Sequence, residues 1–116
     1  MISRALELDP YNGAYLDSMG WVLYRMDKFE EAETYLRQAL ERVSRDPTVH
    51  DHLGDVLAKQ GKTKEAMAEW HIAAREWEAS PPSEKDSAEI AKIHRKLEGA
   101  KVRLAQEASR MITKQP

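Results

Sequence analysis

Apolar residues return every three or four positions along this chain, in blocks separated by short polar breaks. Leu16, Met19 and Leu23 form one block, and Phe29, Leu36 and Leu40 the next. Leu53, Val56 and Leu57 follow, then Met67, Trp70 and Trp77. That spacing is the period of a helix with one buried face, whereas strands would alternate every second residue. It predicts helices over about 14–26, 30–44, 47–60 and 64–78, with a shorter one over residues 2–8. The breaks carry turn chemistry. Residues Asp9-Pro10-Tyr11-Asn12-Gly13 read as a turn, and Asp46-Pro47 as the cap and first position of a helix. Gly61 suits a left-handed helix terminus.

Ser80-Pro81-Pro82 ends this regime, and Ser83 with Asp86 has the spacing of a capping box. Beyond it, Ile90, Ile93, Leu97, Ala100 and Leu104 draw one apolar stripe along a helix expected over about 84–110. At 1.5 Å per residue that helix is about 40 Å long, so its end overhangs its neighbours or bends, with Gly99 the natural place for a bend. A stripe of this kind covers the end of a helical stack. Only about two heptads are present, short of what a coiled coil requires.

The blocks repeat. Residues 13–46 align with 47–80 at a shift of 34, with identities at Asp17/Asp51, Gly20/Gly54, Val22/Val56, Leu23/Leu57, Lys28/Lys62, Glu31/Glu65, Ala32/Ala66 and Ala39/Ala73. Three of these pairs are Gly or Ala, small enough to let two helices approach closely. A fixed period of this length marks a stacked array of helical hairpins. The pattern resembles the tetratricopeptide repeat. Met19-Gly20, Leu23, Phe29, Ala32, Leu36 and Ala39 match its motif in one unit, and Leu53-Gly54, Leu57, Ala66, Trp70 and Ala73 in the next. Ala5-Leu6-Glu7 aligns with Ala39-Leu40-Glu41, so residues 1–12 read as the trailing half of a preceding unit. The resemblance covers roughly residues 1–80 and implies an all-α solenoid, with 13–46 and 47–80 as units and 81–116 as a capping helix and tail. In style the repeats are similar to bacterial proteins of this family, where such a segment often ends the polypeptide. The pattern departs from the family where Leu16 and His50 stand for a frequent Trp, and Thr63 for an aromatic residue.

Composition narrows function by exclusion. The 116 residues carry a net charge of -2, which gives no general attraction to nucleic acid or membrane. The basic end formed by Lys101, Arg103, Arg110 and Lys114 reads as a solvated face. There is no Cys, hence no disulfide framework or thiolate chemistry. His50 and His52 point to nearly opposite sides of a helix, and no third ligand accompanies His52 and Asp55, so no metal or other cofactor is expected. Gly61-Lys62-Thr63 lacks the rest of a phosphate-binding loop. Enzymatic chemistry is therefore not expected.

What the family resemblance implies is a scaffold that binds a partner peptide in a groove lined by the first helix of each hairpin. Carried onto this chain, the groove positions are Asp17, Trp21, Tyr24 and Arg25, then Asp51, His52, Asp55 and Lys59, with Ala58 beside them. The Lys, Asn and Arg residues with which some members grip acidic peptides are absent from the matching places. The expected surface is acidic with an aromatic floor, suited to a peptide bearing Lys or Arg beside apolar groups. The alternative is self-assembly into a homo-oligomer through the terminal helices, with Ile2, Leu6, Leu104 and Met111 at the contacts. A third reading is an accessory module within a larger enzyme or envelope protein. The partner and the compartment, bacterial cytoplasm or cell envelope, are left open.

Overall fold

The structure, a computed structural model, describes residues 12–114, with side chains through residue 111. The helix expected over residues 2–8, with Ile2 and Leu6, lies outside the described residues. Five helices follow in order: α1 (Gly13–Arg25), α2 (Phe29–Arg42), α3 (Pro47–Lys59), α4 (Thr63–Ala79) and α5 (Ser87–Lys114). Each packs on the next, α1 with α2, α2 with α3, α3 with α4 and α4 with α5, so the chain stacks rather than closing around one centre. It is an all-α array of antiparallel hairpins.

The helix starts are capped by short polar side chains. Asn12 Oδ1 accepts from the Ala14 and Tyr15 amides at 3.0 and 3.3 Å. Asp46 Oδ1 accepts from Thr48 and Val49 at 2.9 and 3.4 Å, with Pro47 in the first turn. The expected capping box at Ser83 is not what starts α5. Asp86 is the cap, accepting from the Glu89 amide at 3.1 Å, while the Glu84 and Lys85 amides turn back onto the Pro81 carbonyl. Asp86 competes well because its carboxylate satisfies orphan amides at the positive end of the helix. From there the helix runs unbroken through Gly99 for 28 residues, about 42 Å.

The two tight turns are copies of each other. Asp27 and Gly61, one repeat apart, both have positive φ, 61° and 79°. In each turn the next amide reaches back over the helix end, Lys28 to the Leu23 carbonyl and Lys62 to the Leu57 carbonyl, both at 2.9 Å.

Packing within each hairpin depends on the small residues the repeat conserves. Ala32, Ala39, Ala66 and Ala73 are fully buried. A methyl group added to Gly20 would sit 2.8 Å from Leu36 Cγ, and one added to Gly54 would sit 2.4 Å from the Trp70 indole nitrogen. Around these contacts Leu36, Leu53, Leu57, Val49, Val56 and Ile93 are closed off from solvent. Ile93, Leu97 and Ala100 of α5 complete that core.

His50, a departure from the family pattern, is buried and fully partnered. Its Nδ1 lies 3.2 Å from Glu69 Oε1 and its Nε2 lies 2.7 Å from the Ser44 carbonyl. Both partners only accept, and only the imidazolium can donate from both nitrogens. Burial alone would lower its pKa. The hydrogen bond to Glu69, the Ser44 carbonyl and the charges of Glu69 and Glu76 outweigh that and raise it above the usual 6.5.

Two measurements test this account. Gly54→Ala should destabilise the fold by about 1–3 kcal/mol in urea denaturation, because a rigid indole rather than a flexible chain end must move. His50 titrates higher when folded, so its stabilising effect is complete below about pH 6.5 and is lost as pH rises through the raised folded value. Thermal melts should show stability falling across that window, and His50→Asn should remove that part of the pH dependence.

Candidate functional site

The first helix of each hairpin and α5 turn residues toward a common side. Tyr24 of α1, Asp55, Ala58 and Lys59 of α3, Trp70 of α4, and Lys96 and Arg103 of α5 line one shallow cavity of about 340 Å³. Three odd-numbered helices thus share a groove, with the indole of Trp70 at its base.

On one side the groove is an aromatic stack. Trp21 lies against Tyr24 with ring centroids 4.6 Å apart and planes 11° from parallel. His52 covers the other side of Trp21 at 4.1 Å and 23°. Asp17 Oδ1 is 2.8 Å from His52 Nδ1, which places the ring proton on Nδ1, since a carboxylate can only accept. Asp17, Trp21, Tyr24 and His52, proposed from sequence, are therefore brought together across the two units. Tyr24 also meets the edge of Phe29 at 5.7 Å. Burial, and then the charge of Asp55, raise the Tyr24 pKa, with Lys96 opposing, so its hydroxyl stays a donor.

Deeper in the groove the acidic residues are not open. Lys96 Nζ sits 2.8 Å from Asp51 Oδ1 and 2.9 Å from Asp55 Oδ1, and 5.9 Å over the Trp70 ring. The Trp70 indole N–H donates to Asp55 Oδ1 at 3.2 Å. Burial raises the Asp55 pKa, and Asp51 adds to this while Lys96 and Trp70 oppose it. Burial would lower the Lys96 pKa, but Asp51 and Asp55 more than offset it and hold the ammonium charged. The two carboxylates and the ammonium form a bridge from α3 to α5 that passes over α4.

Sequence reasoning missed Lys96, Trp70 and Arg103 as groove residues. Lys96 is three positions from Ile93 and one from Leu97, at the edge of the stripe that docks α5. That position was the available signal. The other groove positions, Arg25 and Lys59, are exposed and occupy equivalent places one repeat apart. No carboxylate pairs with either among the described residues. Of the residues assigned to self-association, Leu104 is half-buried and Met111 is 67% exposed. The described residues contain no group of three or more His, Cys, Asp or Glu that could hold a metal ion. No helix among them is long and apolar enough to cross a membrane.

The fold has counterparts among known proteins. Residues 13–45 match the tetratricopeptide repeat family. The TPR repeat-containing protein PA4667 of Pseudomonas aeruginosa is 51% identical over 55 residues, 47% of this chain but 9% of that protein. The match thus spans under a tenth of that relative. Among solved structures, the Yersinia enterocolitica type III secretion translocator chaperone SycD superposes with a TM-score of 0.80 at 17% identity, over 90% of this chain and 70% of its own. PcrH, solved in complex with the chaperone binding region of PopD, gives 0.78 at 19% identity, over 88% and 74%. At these identities the two structures share the fold.

The Lys96 bridge makes a direct prediction. Lys96→Met strands two carboxylates, and the loss should be about 2–3 kcal/mol, below the roughly 3–5 kcal/mol of a fully buried pair because the Lys96 side chain is 30% exposed. Adding Asp51→Asn and Asp55→Asn to the same variant should recover most of that loss in chemical denaturation.

Proposed function

We propose that this chain, a member of the tetratricopeptide repeat family, is a non-enzymatic interaction module that holds a segment of a partner protein along the groove of α1, α3 and α5. The observation that carries this reading is the placement of Tyr24 at the rim of a shared cavity, half-buried and stacked on the half-buried ring of Trp21 beside it. Stacked aromatics that keep solvent-facing area give large contact area at low entropic cost, and Trp and Tyr recur as hot-spot residues. Asp17 and His52 fix the Trp21 ring from beneath, so little ordering is left for binding to do. PcrH, which shares the fold, was solved with a segment of another protein bound, and that supports the same mode here.

No nucleophile–base pair lines the cavity. Its titratable groups are Tyr24, Asp55, Lys59, Lys96 and Arg103, and the two most buried of these, Asp55 and Lys96, are committed to each other. That commitment supports reading the surface as one for recognition.

The test is selection of ligands from a displayed peptide library, followed by titration. Peptides enriched on the parent chain should lose at least about tenfold in affinity, about 1.4 kcal/mol, on Tyr24→Ala. Arg45→Ala, whose side chain pairs with Glu76 of α4 outside the cavity, should leave affinity unchanged. Equal binding by all three would remove the groove as the site.

A further inference from the structure

The outer face of α1 is open where its repeat is closed. Tyr15, Met19, Val22 and Met26 follow one another at spacings of four, three and four along that face. Tyr15 is 38% exposed, Val22 42% and Met26 56%. One repeat on, Val49 and Val56 hold the places of Tyr15 and Val22, and they are 2% and 0% exposed. The hairpins are otherwise alike, since α1 packs on α2 as α3 packs on α4. What α3 has in addition is the preceding hairpin, chiefly α2, against its other side. The apolar face of α1 is therefore shaped for a helix in the place that α2 takes beside α3.

The charges at the closed joint specify that helix. Glu33 of α2 accepts from Gln60 at 2.8 Å and from Lys62 at 3.2 Å, at the end of α3 and in the turn that follows. Arg37, one turn along, lies 2.8 Å from Glu33 and 4.0 Å from Glu65 of α4. Lys62 and Glu65 have identical counterparts in the first unit, Lys28 and Glu31. Among the described residues no ion pair reaches either counterpart. Met26 stands in the place of Gln60, so the open joint is the more apolar of the two.

We propose that the outer face of α1 docks a helix from outside these 116 residues, one that carries an apolar stripe edged by a Glu and an Arg four positions apart. It lies antiparallel to α1, its Glu on Lys28, its Arg on Glu31, and its stripe over Tyr15, Met19, Val22 and Met26. Neither source within this sequence supplies the pair. The position one repeat before Glu33 falls ahead of residue 1, and Ser3 stands where Arg37 does, so residues 1–11 lack it. No described helix except α2 carries a Glu four residues before an Arg, and Glu33 is already engaged by Gln60 and Lys62, so a second copy has none to offer. The Arg contact sets register more than strength, since its counterpart between Arg37 and Glu65 is long and exposed.

The probe is a fluorescein-labelled peptide with the sequence of residues 28–46, stapled between its exposed positions 34 and 38 because a free helix of this length is marginal in water. It is titrated against the full chain by anisotropy and should bind saturably. Lys28→Glu in the chain should weaken it about fivefold. A probe carrying Glu33→Lys should bind that variant better than it binds the parent, an exchange that misfolding cannot produce. Val22→Glu, which sets a charge in the apolar seam, should lose at least about tenfold, with a circular dichroism melt confirming the fold. Failure of the probe to bind overturns the proposal. So does binding that is indifferent to Lys28→Glu and Val22→Glu but lost on Tyr24→Ala, which places the probe in the groove. A parent chain that sediments as a dimer, and as a monomer with Val22→Glu, is covered by a second copy, which also overturns it.

Discussion

The structure depends on the contact between Gly54 and Trp70. A hydrogen atom is the only side chain that fits against the indole there, and a methyl group would come within 2.4 Å of its nitrogen. This closeness brings α3 and α4 together and presses the Trp70 ring toward the open side, where its N–H reaches Asp55. Asp55 in turn positions Lys96, and Lys96 helps to fix the register of α5. Gly20 plays the same part against Leu36 in the first hairpin, without the polar consequence, because an aliphatic residue has no donor to offer. One hairpin is a purely apolar joint, and its repeat is the base of a polar groove.

Much of the architecture could be read from residue types. Gly and Ala at a shift of 34 mark the helix crossings, and the burial of Ala32, Ala39, Ala66 and Ala73 follows from them. Caps at Asn12 and Asp46, and the turn at Gly61, obey local rules that need no tertiary knowledge. Asp27 obeys the same geometry although its residue type does not announce it, since Asp is among the few residues that tolerate the left-handed region.

The site was less legible, for a physical reason. Its defining contacts join residues far apart in sequence, His52 to Asp17 over 35 positions and Lys96 to Asp51 over 45. The first could be sought because both residues sit in register with the repeat. The second could not, because the Ser80–Asp86 connection breaks the period and leaves the rotation of α5 undetermined. Its apolar stripe says which face docks, but not which of its flanking cations will meet which carboxylate. That single unknown changes how the groove's charge is read, since the same Asp51 and Asp55 read as an open acidic floor without Lys96 and as a closed, partly neutralised ion cluster with it.

The bridge from α3 to α5 also bears on cooperativity. In a stack where each helix meets mainly its immediate neighbours, the terminal helix can detach by itself at small cost, and opening proceeds from the ends. A contact that passes over α4 changes this. Releasing α5 would strip the ammonium from one buried and one half-buried carboxylate in the preceding hairpin, which couples the opening of the last helix to that hairpin. The surface proposed for a partner would therefore come and go with the docking of α5, and a ligand seated across α3 and α5 would stabilise the closed unit by linkage.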